Sequence, residues 1–392
     1  SVGGVMGGIM NAIIAPTLFN KVWDYPLVIL LACAVRPEIP SPVVSTRSRW
    51  LDFGWPLGIG LLSAGLILFA QHADVSPGRG ATLIIFGVPA LLVYRLVTRP
   101  LPFALSLAAI LAASSLYTSA HGRVLLVERD FFGVLRVTLD PGGRFRQIVH
   151  GNTIHGRQSV DPSHATEPLV YYYRTGPAGK VFDAFYAAPA APRVGVIGLG
   201  AGSLAAYAHP GHDWTFYEID PAVVRIARNP SFFTFLQSSR AQSISLVLGD
   251  ARLRLHDATD HQYGLLVLDA FSSDSIPIHL LTREALALYL AKLAEHGIMA
   301  FHITNRRLDL KPVVANVAAD ARLVCLCRDD NEISEAELQQ GKAASVWVAM
   351  ARHGADLGPL VDDRRWQALA PNARVGVWSD DFSHILTVLK WE

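Results

Sequence analysis

Residues 193–202 read Arg-Val-Gly-Val-Ile-Gly-Leu-Gly-Ala-Gly, and this stretch decides the fold. A short apolar run rich in β-branched residues passes straight into glycines at 198, 200 and 202. That is the pattern of a strand ending in a tight turn that opens a helix, where backbone approaches a ligand at the carboxyl edge of a parallel sheet. The spacing is GxGxG rather than the dinucleotide-binding GxGxxG, and such a loop alone also serves plain turn packing. Downstream, apolar strands alternate with amphipathic helices, as a doubly wound α/β sheet requires. Strands are predicted at 193–197, 215–218, 244–248, 265–269 and 298–304, with a late one at 345–350. Helices are predicted at 221–228 and at 282–295, the latter capped by Thr282.

The strand tips carry the chemistry. Glu218 ends the second strand, twenty residues past Gly198, where an acid can accept from both hydroxyls of a ribose; its ordinary alternative is a solvated surface charge. Gly249-Asp250-Ala251 ends the third, and Asp250 there either accepts from an adenine amine or caps the next helix. Together with the glycine loop these acceptors fit an adenosine. The fourth strand ends at Asp269, followed by Ala-Phe-Ser-Ser-Asp274-Ser-Ile-Pro. A carboxylate at that edge faces the crevice, where it can hold a cation or accept a proton, although Asp is also common turn chemistry. Asp274 has the same two readings, ligand contact or loop cap. His302, at the tip of the fifth strand, reads as a satisfied core histidine rather than a proton shuttle. Asp380, Asp381 and His384 either reach the crevice or form a solvated loop. Fourteen histidines show no HExxH or comparable spacing, so no metal is expected.

Upstream, 124–127 and 134–139 look like strands joined by a turn at Gly133, the start of a small β lobe. Before them the composition changes. The chain of 392 residues is 51% hydrophobic and 17% charged, with a mean hydropathy of +0.30. That is too apolar for one soluble domain. Residues 1–120 hold only seven Lys/Arg and four Asp/Glu, against 27 and 29 in 121–392. Neither part has the basic surface that nucleic-acid binding needs. Apolar stretches at 2–19, 53–70, 81–97 and 101–117 approach the ~20 residues of a membrane span. Residues 25–35 read as a partial span, a re-entrant piece or a helix tail. Gly3 with Gly7, Gly4 with Gly8, and Gly54 with Gly58 are small-xxx-small pairs that allow close helix packing. Arg36, Arg47, Arg49, Arg95 and Arg99 would place their loops in the cytosol by the positive-inside rule and the soluble part outside. The chemistry of the soluble part argues the other way. Cys33, Cys325 and Cys327 form neither a disulfide framework nor a zinc spacing. The chain starts at Ser1 with an apolar span and reads as the downstream piece of a longer membrane protein.

The domains expected are therefore transmembrane helices over 1–120, a β lobe covering the site over 121–190, and a Rossmann-like sheet over 191–392. Over about 121–330 the set Gly198–Gly202, Glu218, Asp250 and Asp269 resembles the spermidine synthase family, the polyamine aminopropyltransferases, and within it a membrane-integrated bacterial branch. The resemblance implies a class I S-adenosylmethionine-binding fold, with Gly198, Gly200, Gly202, Glu218, Asp250 and Ala251 holding the nucleoside and Asp269 catalytic. The segments Gly156-Arg157-Gln158 and Tyr171-Tyr172-Tyr173 resemble the family's gatekeeping elements, which makes Gln158, Tyr172 and Asp274 the substrate-binding candidates. Two positions depart from the family pattern: Ala201 stands where many members have an amine-holding Asp, and Tyr173 where an acid usually helps hold the polyamine.

What this implies is cleavage of the bond between the sulfonium and the γ-carbon of S-adenosylmethionine or its decarboxylated form, releasing methylthioadenosine. The three-carbon group passes to an amine such as a polyamine, or the substrate's own carboxylate attacks and the enzyme is a lyase that gives homoserine lactone. Methyl transfer and a non-catalytic nucleoside sensor are the other readings. The expected setting is a multi-pass protein of the inner (plasma) membrane with its catalytic domain cytoplasmic. The expected partners are a small-molecule substrate, the bilayer, a further segment upstream of Ser1 and copies of itself in a homo-oligomer.

Overall fold

The structure, a computed structural model, describes residues 2–19, 21–37, 50–73, 75, 79–117, 121–188, 191–271 and 277–390. Contacts divide the chain into two units, Ser1–Arg123 and Val124–Glu392.

In the first unit α1 (Val2–Ile9), a π-helical turn (Met10–Ile14) and α2 (Ala15–Leu18) follow one another, and extended Phe19 ends the run. The remaining helices are α3 (Asp24–Ala34), α4 (Trp50–His72), α5 (Arg79–Thr82), α6 (Val88–Tyr94), joined to α5 by a second π turn (Leu83–Gly87), and α7 (Pro100–Ser114). Only one described helix, over Asp52–His72, is long and apolar enough to cross a membrane. The stretches expected to be full spans at 81–97 and 101–117 are shorter, since α7 has 15 residues and covers about 22 Å of a ~30 Å hydrocarbon core. Residues 25–34 lie within α3, a separate helix of 11 residues that Val35 caps.

The close packing predicted for small-residue pairs falls elsewhere. A methyl group on Gly3, Gly7, Gly8, Gly54 or Gly58 would meet nothing within 4 Å, whereas at Gly60 it would lie 3.0 Å from Ala109 on α7. The α4–α7 contact buries Ile59, Ser63, Ile67 and Ile110, and Ser63 and Ser106 return their hydroxyls to the carbonyls of Ile59 and Pro102. Arg36 donates to the Val97 carbonyl and Arg99 pairs with Asp52, so two loops read separately in the sequence meet at one end of this unit. Arg47 and Arg49 lie outside the described residues.

The second unit begins with an antiparallel meander of β1 (Arg123–Asp130), β2 (Gly133–Leu139), β3 (Phe145–His150) and β4 (Thr153–Ser159), adjacent in that order. Helix α8 (Pro177–Ala187) leads to the large sheet. Its elements are β5 (Arg193–Ile197), β6 (Asp213–Glu218), α9 (Pro221–Arg228), β7 (Ser243–Leu248), α10 (Ala251–His256), β8 (Tyr263–Leu268), α11 (Arg283–Lys292), β9 (Leu293–His302), α12 (Lys311–Asp320), β10 (Val324–Asp330), α13 (Glu335–Gln339), β11 (Ser345–Ala351) and β12 (Gln367–Ala368). The strand order is β12-β10-β11-β9-β8-β5-β6-β7. Strands β5 to β9 run parallel, and β10, β11 and β12 add antiparallel pairs. This is a Rossmann-like sheet whose chain reverses direction between β5 and β8, where such folds open a crevice.

Alternation along the buried strands sends Val194, Val196, Leu265, Val267, Trp347 and Ala349 to one face. Leu266, Leu268, Met299, Phe301, Val348 and Met350 go to the other. On the first face Phe182 of α8 stacks on Tyr207 at 4.3 Å and on Trp214 at 5.6 Å. Each such fully buried side chain contributes about 1.5–3 kcal/mol. Cys325 and Cys327 point to the second face, and burial pushes their thiols up to about 12 and about 11. They stay protonated and unreactive.

Candidate active site

At the carboxyl edge of β5 the chain turns with Gly198 at φ +99° and Gly200 at φ +54°. A side chain at Gly198 would strike the Asp269 backbone, and one at Gly200 the His155 carbonyl. The loop therefore touches both the tip of β8 and strand β4. The His155 carbonyl accepts from the Ala201 amide at 3.2 Å, and Gly156 lacks the Cβ that would press on Ala201. The helix expected after the loop is a 3₁₀ turn of five residues, Ser203–Tyr207. Gly202 starts it in a left-handed conformation against Leu236, away from the cavity.

Between this loop, the other strand tips and the β lobe lies a cavity of about 500 Å³, a size that suits a nucleoside. Its lining includes Gly198, Gly200, Tyr172, Glu218, Asp250, Ala251 and Asp269. Glu218 is buried, 9% exposed, rather than solvated. One of its oxygens accepts from the Leu199 amide and the other from the Asp220 amide, each at 2.9 Å. Burial raises its pKa, opposed by these amide bonds. Asp250 caps α10 through the Leu253 amide at 3.1 Å, while its second oxygen lies 3.3 Å from His279 Nε2. The cap and the ligand reading use different oxygens.

Asp269 sits at the centre, its side chain 8% exposed. The Tyr172 hydroxyl donates to Oδ2 at 2.7 Å, and His302 Nδ1 lies 2.7 Å from Oδ1. His302 Nε2 lies 2.7 Å from the Thr304 hydroxyl, which accepts from the Val346 amide at 2.8 Å. The Thr304 hydroxyl thus bridges the His302 ring and the β11 backbone, which fixes the ring with Nδ1 turned to Asp269. The ring is clamped by Trp347, stacked at 4.8 Å and 13°, and edge-on by Phe271 at 4.9 Å. Burial, then the Asp269 charge, drives the Tyr172 phenol well above its usual range, which keeps it a donor.

Several candidates land elsewhere. Gln158 is buried and committed: its amide donates to the Ala165 carbonyl and the Thr234 hydroxyl and accepts from the Thr234 amide. It holds the lobe together and does not line the cavity. Asp274 lies outside the described residues. Asp380 binds Arg252 on α10 through both oxygens, at 2.7 and 2.8 Å, which ties the carboxyl-terminal segment down away from the crevice. Sequence reasoning missed His302 as a site residue. Its signal is the parallel register, in which Leu268 faces Phe301, so Asp269 and His302 are the next residues at adjoining tips. It also missed His155, which lines the cavity with its Nε2 unpaired among the described residues. Burial holds its pKa down to about 3, so it stays neutral beside a cationic ligand.

A second pair of groups makes the site pH-sensitive. The Asp220 carboxyl is pushed up to about 7 by burial and by a hydrogen bond to Asp130 of β1. Between about pH 4, the usual carboxyl value, and pH 7 the folded chain holds a proton that the unfolded chain has lost. Stability from this pair therefore falls as pH rises through that window. Buried His150 and His155, both with lowered pKa, give the opposite slope below about 6.5, so the pair is isolated by comparison. Relative to wild type, Asp130→Asn is expected to gain melting temperature as pH goes from 5 to 8, measured by thermal unfolding. A constant offset between the two proteins would refute the shared proton.

Over 133 residues the chain is 33% identical to the polyamine aminopropyltransferase of Vibrio vulnificus (strain CMCP6), covering 33% of this chain and 41% of that enzyme. That stretch is similar to an aminopropyltransferase. The chain spans about two fifths of the length of this curated relative. No protein-family model matches the chain. Among solved structures, a probable spermidine synthase from Corynebacterium glutamicum superposes with a TM-score of 0.48 at 15% identity, over 66% of this chain and 96% of that one. The spermidine synthase of Thermotoga maritima gives 0.42 at 11%, over 69% and 85%.

Proposed function

We propose that this chain is an aminopropyltransferase-type enzyme. It binds decarboxylated S-adenosylmethionine, or S-adenosylmethionine itself, and transfers the three-carbon arm to an amine. The observation that carries this reading is Asp269, held by Tyr172 and His302 in the cavity that also contains the glycine loop, Glu218 and Asp250. The sequence match to a polyamine aminopropyltransferase supports it.

In this mechanism the glycine loop and Glu218 hold the ribose and Asp250 the adenine, which leaves the sulfonium beside Asp269. The amine nitrogen attacks the γ-carbon in line, the carbon–sulfur bond breaks, and its electron pair stays on sulfur as a neutral thioether. Positive charge moves from sulfur to nitrogen, and Asp269 accepts the proton that nitrogen sheds. Tyr172 and His302 orient the carboxylate and leave each oxygen one lone pair for the incoming amine. Incubation of the full chain with either nucleoside, with and without putrescine, tests this. Methylthioadenosine formed only with amine present supports transfer. Its formation without amine means a lyase, S-adenosylhomocysteine means methyl transfer, and no turnover with either putrescine or 4-aminobutyrate means a sensor.

We also propose that the helices of the first unit sit in a bilayer, with the second unit on the cytoplasmic side where the nucleoside is found. Support comes from the length of α4 and from large apolar side chains left exposed on these helices, among them Leu61, Phe69, Leu83 and Leu91. The chain is expected to stay with membranes after an alkaline wash; release into the supernatant would overturn this placement.

A further inference from the structure

The charges lining the cavity are unevenly distributed. Among the described residues four carboxylates line it, Glu218, Asp220, Asp250 and Asp269, and all belong to the tips of β6, β7 and β8. Beyond Asp269, under β9, β10 and β11, the lining is Thr304, Asn305, Arg306, Asn331, Ala343 and Ala344, with no carboxylate among the described residues.

Most polar groups in this half are already committed. Thr304 is shared between His302 and the Val346 amide, and the Asn305 side chain accepts from the Arg307 and Leu308 amides. Arg306 and Asn331 are exposed, line the cavity, and have no hydrogen-bond partner among the described residues. The loop offers no acid either. Ala201 is 1% exposed and packed on Gly156, which leaves no room for a carboxylate side chain.

A linear diamine engages an aminopropyl donor with one amine and presents a second ammonium farther along. Among the described residues no lining carboxylate offsets the Arg306 guanidinium that such an ammonium would approach. An arginine beside a neutral amide instead supplies the donors that a carboxylate takes. Resting on the function proposed above, we infer that Arg306 and Asn331 form a carboxylate subsite, so that the ligand end reaching past Asp269 is a carboxylate rather than a second ammonium. Two sources share this chemistry: the α-carboxylate of intact S-adenosylmethionine, and an amino-acid acceptor.

Titration calorimetry on the full chain in detergent separates them. Methylthioadenosine, which lacks the arm, reports the nucleoside half alone. S-adenosylmethionine is compared with its decarboxylated form, and, with methylthioadenosine bound, 4-aminobutyrate is compared with putrescine. The carboxylate-bearing member of one pair is expected to bind at least tenfold more tightly. Arg306→Gln should abolish that preference while methylthioadenosine affinity stays the same. A preference within the nucleoside pair assigns the carboxylate to the donor; one within the amine pair assigns it to the acceptor. No preference in either pair with wild-type protein, or a preference that survives Arg306→Gln, overturns the subsite. Failure of methylthioadenosine to bind overturns the nucleoside reading itself, and the subsite with it.

Discussion

Asp269→Asn is expected to lower turnover about a thousandfold while methylthioadenosine affinity changes less than threefold. The substitution keeps the shape of the side chain and one carbonyl oxygen, so Tyr172 or His302 retains an acceptor, but it removes the carboxylate proposed to take the amine proton. General-base contributions of about 10²–10⁴ set the scale. Loss of the negative charge that follows the cation from sulfur to nitrogen places the effect toward the upper end. The comparison with Tyr172→Phe is informative, because that variant keeps the base and loses only one orienting bond, 2.7 Å long. Its turnover should fall about fivefold, in line with roughly 1 kcal/mol for one hydrogen bond. Rapid-quench measurement of a single turnover isolates the chemical step. Equal losses in the two variants would mean that Asp269 acts only as a positioning group.

The second large effect falls on binding. Glu218→Ala removes two acceptors at once, leaves the Leu199 and Asp220 amides unpaired in a buried place, and deletes the group offered to the ribose. Charge-assisted bonds at about 1.5–3 kcal/mol each give a fall in methylthioadenosine affinity of at least a hundredfold. Because Asp220 caps α9, some thermal stability goes with it. Calorimetry beside a melting curve separates the two losses. Unchanged affinity in a folded variant would remove Glu218 from the nucleoside site.

The sheet was legible in the sequence because its central strands are buried on both faces and read as continuous apolar runs; β8 has no exposed residue. The acids at its tips were legible for the same reason, since each follows such a run directly. Strands β3 and β4 were not, because they bury Gln147 and Gln158 among arginine and histidine and so break the apolar alternation. Strand β10, with its CRDD ending, hides its pairing in the same way. The small-residue pairs of the first unit misled, because glycine spacing marks where helices can approach and not where a neighbour lies. His302 was misread because a histidine bonded at both nitrogens looks inert until one of its partners is seen to be Asp269, the carboxylate proposed as the base.

The seam between β4 and the glycine loop bears on how a bound nucleoside would leave. Gly156, Gly200 and the amide of Ala201 meet the other wall with no space for even one added carbon, and the His155 carbonyl bonds across the junction. On the function proposed above, opening the lobe on that side to release product would have to break the bond between the His155 carbonyl and the Ala201 amide.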